Sequence, residues 1–91
     1  YLRLRGLAPN DPALAQFQLW IYDHTRDDLY PVAAGVFDVA QADIDPITRE
    51  VIIPFTPALS IERPREFVLT IERPGGVVVT DRSRVVLSGL V

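Results

Sequence analysis

Leucine and arginine alternate near the start of the chain, so Leu2 and Leu4 share one side and Arg3 and Arg5 the other. A period of two marks a half-buried strand, predicted over 1–7. The same alternation is clearest at Phe17-Gln-Leu-Trp-Ile-Tyr-Asp23, which sets Phe17, Leu19 and Ile21 against Gln18, Trp20 and Tyr22. Further strands are predicted over 32–39, 50–55, 66–72, 77–80 and 84–90, where β-branched and aromatic residues concentrate. Gly35 in the middle of the third implies a bulge or a close neighbour. Between them lie turn clusters, Ala8-Pro-Asn-Asp-Pro12 first among them, with one helical turn at most over 13–16.

Two local features sharpen the pattern. Arg73-Pro74-Gly75-Gly76 interrupts an apolar run, and a two-residue Gly-Gly hairpin would pair Pro74, which has no N–H, with Val77. The better placement makes all four the turn. Pro74 presets φ at its second position, Gly75 accepts a positive φ at the third, and Gly76 enters a left-handed bulge. Ile-Glu-Arg-Pro occurs at 61–64 and again at 71–74. Two copies ten residues apart read as signals at the two ends of one strand, not as a structural repeat.

About seven short strands without helical periodicity predict an all-β fold: an antiparallel β-sandwich, immunoglobulin-like in general architecture. Phe67, Leu69 and Ile71 are expected to face Phe17, Leu19 and Ile21 across its core. With 91 residues there is room for one domain, 1–91, and none for a second core. The chain starts at Tyr1 and stops at Val91, both within strand-like patterns, so it reads as a fragment of a longer protein.

Composition removes several function classes. At 48% hydrophobic and 23% charged the chain belongs with globular domains, not disordered ones. A net charge of −3, with Arg3, Arg5, Arg49 and Arg84 scattered, argues against nucleic acid. Without cysteine there is no disulfide, thiolate or cysteine zinc site. No run approaches the roughly 20 apolar residues of a spanning helix.

Candidate chemistry is sparse. His24 has only Thr25 as a nearby hydroxyl and reads as an exposed loop histidine, not part of a catalytic set. Asp23 with Asp27 or Asp28, and Asp43 with Asp45, invite a glycosidase reading, but loops are where solvated acids ordinarily lie. Neither spacing reproduces a calcium-binding hand loop, so at most a weak, adventitious cation site is expected. Glu62 and Glu72 read as solvent-facing charges at strand ends. Trp20 and Tyr22 share one face and form either a partner patch or, if their strand is central, a second buried layer. No catalytic, cofactor or metal residue is assigned.

Phe17-Gln-Leu-Trp-Ile21, Ala34-Gly-Val-Phe37, Val68-Leu-Thr-Ile-Glu72 with Pro74-Gly75-Gly76, and Val86-Leu-Ser-Gly89 occur in that order. Together they resemble the C-terminal domain of the anti-sigma-K factor family. That family carries a Tyr-Gln-Leu-Trp-like strand, an Ala-Gly-x-Phe strand and a Thr-x-Glu-Pro-x-Gly-Gly-like turn. Phe17 replaces the tyrosine, Arg73 intervenes before Pro74, and the 41–50 loop is long and acidic. The resemblance implies a β-rich domain outside a bacterial cytoplasmic membrane, joined by one membrane helix to a cytoplasmic segment that restrains a sigma factor. Proteolysis from outside would release that factor, so site proteases and the sigma factor are the implied partners. The sigma-binding segment and the membrane helix would lie upstream of Tyr1.

A rival reading is an adhesive or carbohydrate-binding sandwich of a surface protein, which requires an exposed Trp20–Tyr22 patch. A homodimer through an exposed edge strand, 50–55 or 84–90, is compatible with either.

Overall fold

Alternation of apolar and polar residues becomes pairing in the computed structural model, which describes residues 2–25, 31–77 and 84–90. Six strands form among them: β1 (Leu2–Arg5), β2 (Gln16–Asp23), β3 (Val32–Phe37), β4 (Glu50–Ile53), β5 (Pro64–Glu72) and β6 (Val85–Leu90). All pairings are antiparallel. β1 and β4 make a two-stranded sheet, and the other four follow the order β3-β2-β5-β6. One short 3-10 turn, Gln41–Asp43, lies between β3 and β4. Of the expected strand at 77–80, residues 78–80 lie outside the described residues.

The two sheets close on one core. Leu19, Ile21 and Leu69 from the larger sheet pack with Val51 and Ile53 from the smaller, and Leu2 and Leu4 join from β1. Loop residues Leu7, Val39 and Ile44 complete it. Phe17 stacks on Phe37 at 5.6 Å between ring centroids, and Phe55 meets Phe67 edge-on at 6.1 Å.

One expectation is corrected here. Phe67, Leu69 and Ile71 do not face Phe17, Leu19 and Ile21 across the core. They stand beside them in the same sheet, in the register Phe17↔Ile71, Leu19↔Leu69 and Ile21↔Phe67. Matching period-two strands of similar length pair edge to edge as readily as they pack face to face, because the pattern defines a face and not a layer. The opposing layer comes from β1 and β4 instead.

The punctuation falls where expected. Pro64 opens β5, a position where its missing N–H costs no ladder bond, and the second Ile-Glu-Arg-Pro ends the same strand. Gly35 sits at a bulge: the β2–β3 register runs Leu19↔Gly35 and then Trp20↔Ala33, skipping Ala34. A Cβ on Gly35 would meet nothing within 4 Å, so the bulge and its φ of +137° explain the glycine, not a close neighbour.

Candidate functional site

β2 is an interior strand of its sheet, flanked by β3 and β5, and its residues from Phe17 to Asp23 are all buried, so both of its faces are covered. Its inner residues enter the main core. Its outer residues build a second cluster in which Trp20, Tyr22 and Val68 are buried, with Ala33 and Val77 against them. Trp20 is 1% exposed and Tyr22 2% exposed. The partner patch considered for these two residues is therefore corrected: they form a buried layer and present no aromatic platform. The indole Nε1–H donates to the Thr70 hydroxyl across the strand pair at 3.0 Å, and the Arg65 guanidinium lies over the Tyr22 ring, 5.4 Å from its centroid.

The Pro-Gly-Gly turn completes this layer. The Gly76 amide donates to the Arg73 carbonyl at 2.9 Å, closing the four-residue turn, with φ of +88° at Gly75 and +79° at Gly76. The chain then folds over the outer face of β2 as a strap held by two glutamine side chains. Gly75 N–H donates to Gln16 Oε1. Gln18 is paired twice with Val77, accepting from its N–H through Oε1 and donating to its carbonyl through Nε2. The Gln18 amide thus reproduces a ladder bond pair sideways from the sheet. Glu72 lies beside Gln16 in register on this face and is only 8% exposed, which corrects the expectation of a solvent-facing charge.

Asp23 ends β2 and is likewise buried. Its Oδ1 accepts from the amide and hydroxyl of Thr25 and from the Arg63 amide, and Oδ2 accepts from the Glu62 amide. The His24 amide donates to the Arg63 carbonyl alongside. The carboxylate therefore pins the 62–63 segment to the end of β2. The Thr25 amide foremost, then those of Glu62 and Arg63 with the Thr25 hydroxyl, hold its pKa down to about 2, against opposing desolvation. Both oxygens are engaged by backbone amides, so this carboxylate acts as a structural latch. Asp27 and Asp28, its suggested partners, lie outside the described residues. His24 is exposed, as expected.

Asp23 has an acid-stability consequence. Its folded pKa lies below the ordinary 3.8, so its stabilisation is complete above about pH 4 and fades as pH falls toward 2. Asp23→Asn, whose amide NH2 faces donors instead of accepting from them, is expected to lower the urea midpoint at pH 7. The gap between variant and wild type should narrow from pH 4 downward. A gap independent of pH would show that the folded carboxyl is not the species that matters.

The 41–50 loop uses its acids in the same way. Asp43 Oδ2 accepts from the Ala40 amide, and Asp45 Oδ1 accepts from those of Ile47 and Thr48, which lower the Asp45 pKa, Thr48 foremost. Arg49 adopts a φ of +63° to bring the chain back to β4, where the Asp45 amide meets the Glu50 carbonyl. Among the described residues no group of three or more His, Asp or Glu side chains is arranged to hold a metal, and no helix is long and apolar enough to cross a membrane.

Two open clefts flank the smaller sheet. One, about 720 Å³, lies between β4 and the end of β3, with Asp38, Asp43 and Asp45 along it. The other, about 530 Å³, lies between β1 and β6. The glutamine clamp, the Asp23 latch and these clefts have no motif of their own. The one sequence signal for the clamp is a pair of glutamines on the outer face of a strand otherwise buried on both sides.

No family model, curated protein or solved structure matches the chain.

Proposed function

We propose that this chain is the extracytoplasmic regulatory domain of a membrane-anchored anti-sigma factor, a non-enzymatic module that controls sigma-factor release through regulated proteolysis. In this reading residues 1–91 are one immunoglobulin-like sandwich of about seven strands, the seventh being the predicted 77–80, within a longer chain. The observation that carries it is where the resembling fragments fall. Phe17-Gln-Leu-Trp-Ile21 lies on β2, Ala34-Gly-Val-Phe37 on β3, Val68-Leu-Thr-Ile-Glu72 on β5 and Val86-Leu-Ser-Gly89 on β6, with Pro74-Gly75-Gly76 as the strap. They map onto one continuous four-stranded sheet and its turn, not onto unrelated surfaces. The buried Trp20–Tyr22 layer removes the feature on which the adhesive alternative depended.

The mechanism is protection. Backbone held in a ladder is not cleaved until it opens, and each 1.4 kcal/mol of stability lost gives about tenfold more of the open form. Valine at Gly75 and Gly76 opposes the positive φ of both residues. In the full-length membrane protein this double variant is expected to be cleaved faster and to release more sigma factor. Unchanged cleavage in a demonstrably destabilised variant would contradict protection by folding. A native chain found without a membrane span or a sigma-binding segment would overturn the whole reading.

A further inference from the structure

The two sheets are unequal, and the difference leaves one side of the core open. Among the described residues, four strands present an inner face to a layer of two. β4 lies toward β3, with which it shares the larger cleft, and β1 lies toward β6. Beyond β1 the inner side of β5 and β6 therefore has no strand above it among the described residues. The result is the groove of about 530 Å³, within the roughly 300–1,000 Å³ range of ligand clefts. Leu19, Phe67, Leu69 and Leu87 floor it, and Leu2 and Leu4 form its wall. β1 is the terminal strand of its sheet, so one row of its backbone N–H and C=O groups has no ladder partner among the described residues.

We propose that this groove receives an extended segment of a partner protein, added as a third strand to the free edge of β1, with alternating apolar and acidic residues. Strands repeat about 4.8 Å apart, so a segment beside β1 lies over the open floor. Its period-two side chains then divide. One set drops onto Phe67 and Leu87, which the core leaves only half-buried. The other points outward beside Arg3 and Arg5, the outward pair of β1. Glu50 reaches Arg5 only at 3.8 Å, with the Arg5 side chain still 74% exposed, and among the described residues no carboxylate pairs with Arg3. Acidic residues satisfy that edge and lysines oppose it.

The charges also decide between occupants. A second copy pairing β1 against β1 antiparallel would set arginine opposite arginine. The β6 edge is uncharged, but its ladder is broken by a register shift opposite Leu69 and Thr70. β1 pairs with β4 through four consecutive residues without a shift and offers the regular edge.

The test uses three labelled, end-capped heptapeptides: alternating valine and glutamate, alternating valine and lysine, and the glutamate peptide with a central proline. Fluorescence anisotropy at low salt should show the glutamate peptide binding at least about tenfold more tightly than the other two, with affinity falling as salt rises. Arg3→Glu, an exposed change, should weaken it about fivefold and favour the lysine peptide. Amide hydrogen exchange on the unaltered protein should show new protection at 2–5 on addition of the glutamate peptide, independently of any variant. Absence of binding, protection elsewhere, or indifference to Arg3→Glu would each overturn the proposal. Protection of 2–5 that grows with protein concentration and no peptide would also overturn it, by identifying a second copy as the occupant.

Discussion

Trp20→Ala is expected to lower the unfolding free energy by about 3–5 kcal/mol. A domain of this size holds only about 5–10 kcal/mol in total, so the variant stands at the margin of folding. The size of the loss follows from position. Trp20 lies on the central strand, 1% exposed, between Val68 and Ala33 with Val77 of the strap packed against its cluster. Truncation removes a large apolar side chain from a site whose walls are two paired strands, which cannot collapse inward to fill the cavity. It also leaves the fully buried Thr70 hydroxyl without the indole donor that it accepts from at 3.0 Å. Trp20→Phe separates the two contributions, because it keeps most of the ring and deletes the donor, at a cost of about 1–3 kcal/mol. Thr70→Val should then be nearly neutral in the Trp20→Phe background and costly in the wild type. Urea unfolding of the four proteins measures this cycle. A Trp20→Ala loss below about 1 kcal/mol would mean the outer layer is not packed as a core.

Strand positions are legible in this sequence because β1 and β2 carry period two, the other strands concentrate β-branched and aromatic residues, and each break carries proline or glycine. The Arg73–Gly76 turn is legible for a stricter reason: only one placement spares Pro74 a ladder position and gives a positive φ to a glycine. What escapes is the assignment of strands to layers. Phe17, Leu19 and Ile21 match Phe67, Leu69 and Ile71 equally well as neighbours and as opposites, and the choice depends on long-range pairing that no local pattern encodes. The faces of β2 are a second case. Gln18 and Trp20 alternate with leucine and isoleucine as a solvent face would, and the strap over Gln18, with Arg65 over Tyr22, helps to turn that face into an interior. Asp23 is a third. Its acid neighbours suggested chemistry, whereas its oxygens are taken by amides 39 and 40 residues away, a separation beyond any motif. The open groove depends on a difference in strand number between sheets and so has no sequence signal at all.

Gly76→Ala is expected to cost about 2–4 kcal/mol and Gly75→Ala only about 1–2, although the two glycines are adjacent and both have positive φ. Left-handed backbone penalises any Cβ, and that cost is common to both. The surroundings differ. A Cβ on Gly75 meets nothing within 4 Å, whereas one on Gly76 lies 2.7 Å from Val36 Cγ2 and 2.8 Å from Gln18 Oε1. Val36 is a half-exposed side chain on β3 and can shift, but Gln18 Oε1 is fixed by the Val77 amide it accepts from. Moving it breaks the clamp that holds the strap over the Trp20 layer. The excess cost at Gly76 therefore measures how tightly the strap is seated, and it should fall when the obstruction is cut back: Val36→Ala combined with Gly76→Ala should recover roughly 1 kcal/mol relative to the sum of the single changes. Denaturant midpoints of the three variants and the double mutant decide it. Equal losses at Gly75 and Gly76, with no recovery on trimming Val36, would mean the two glycines serve backbone conformation alone and the strap rests on the sheet without packing into it.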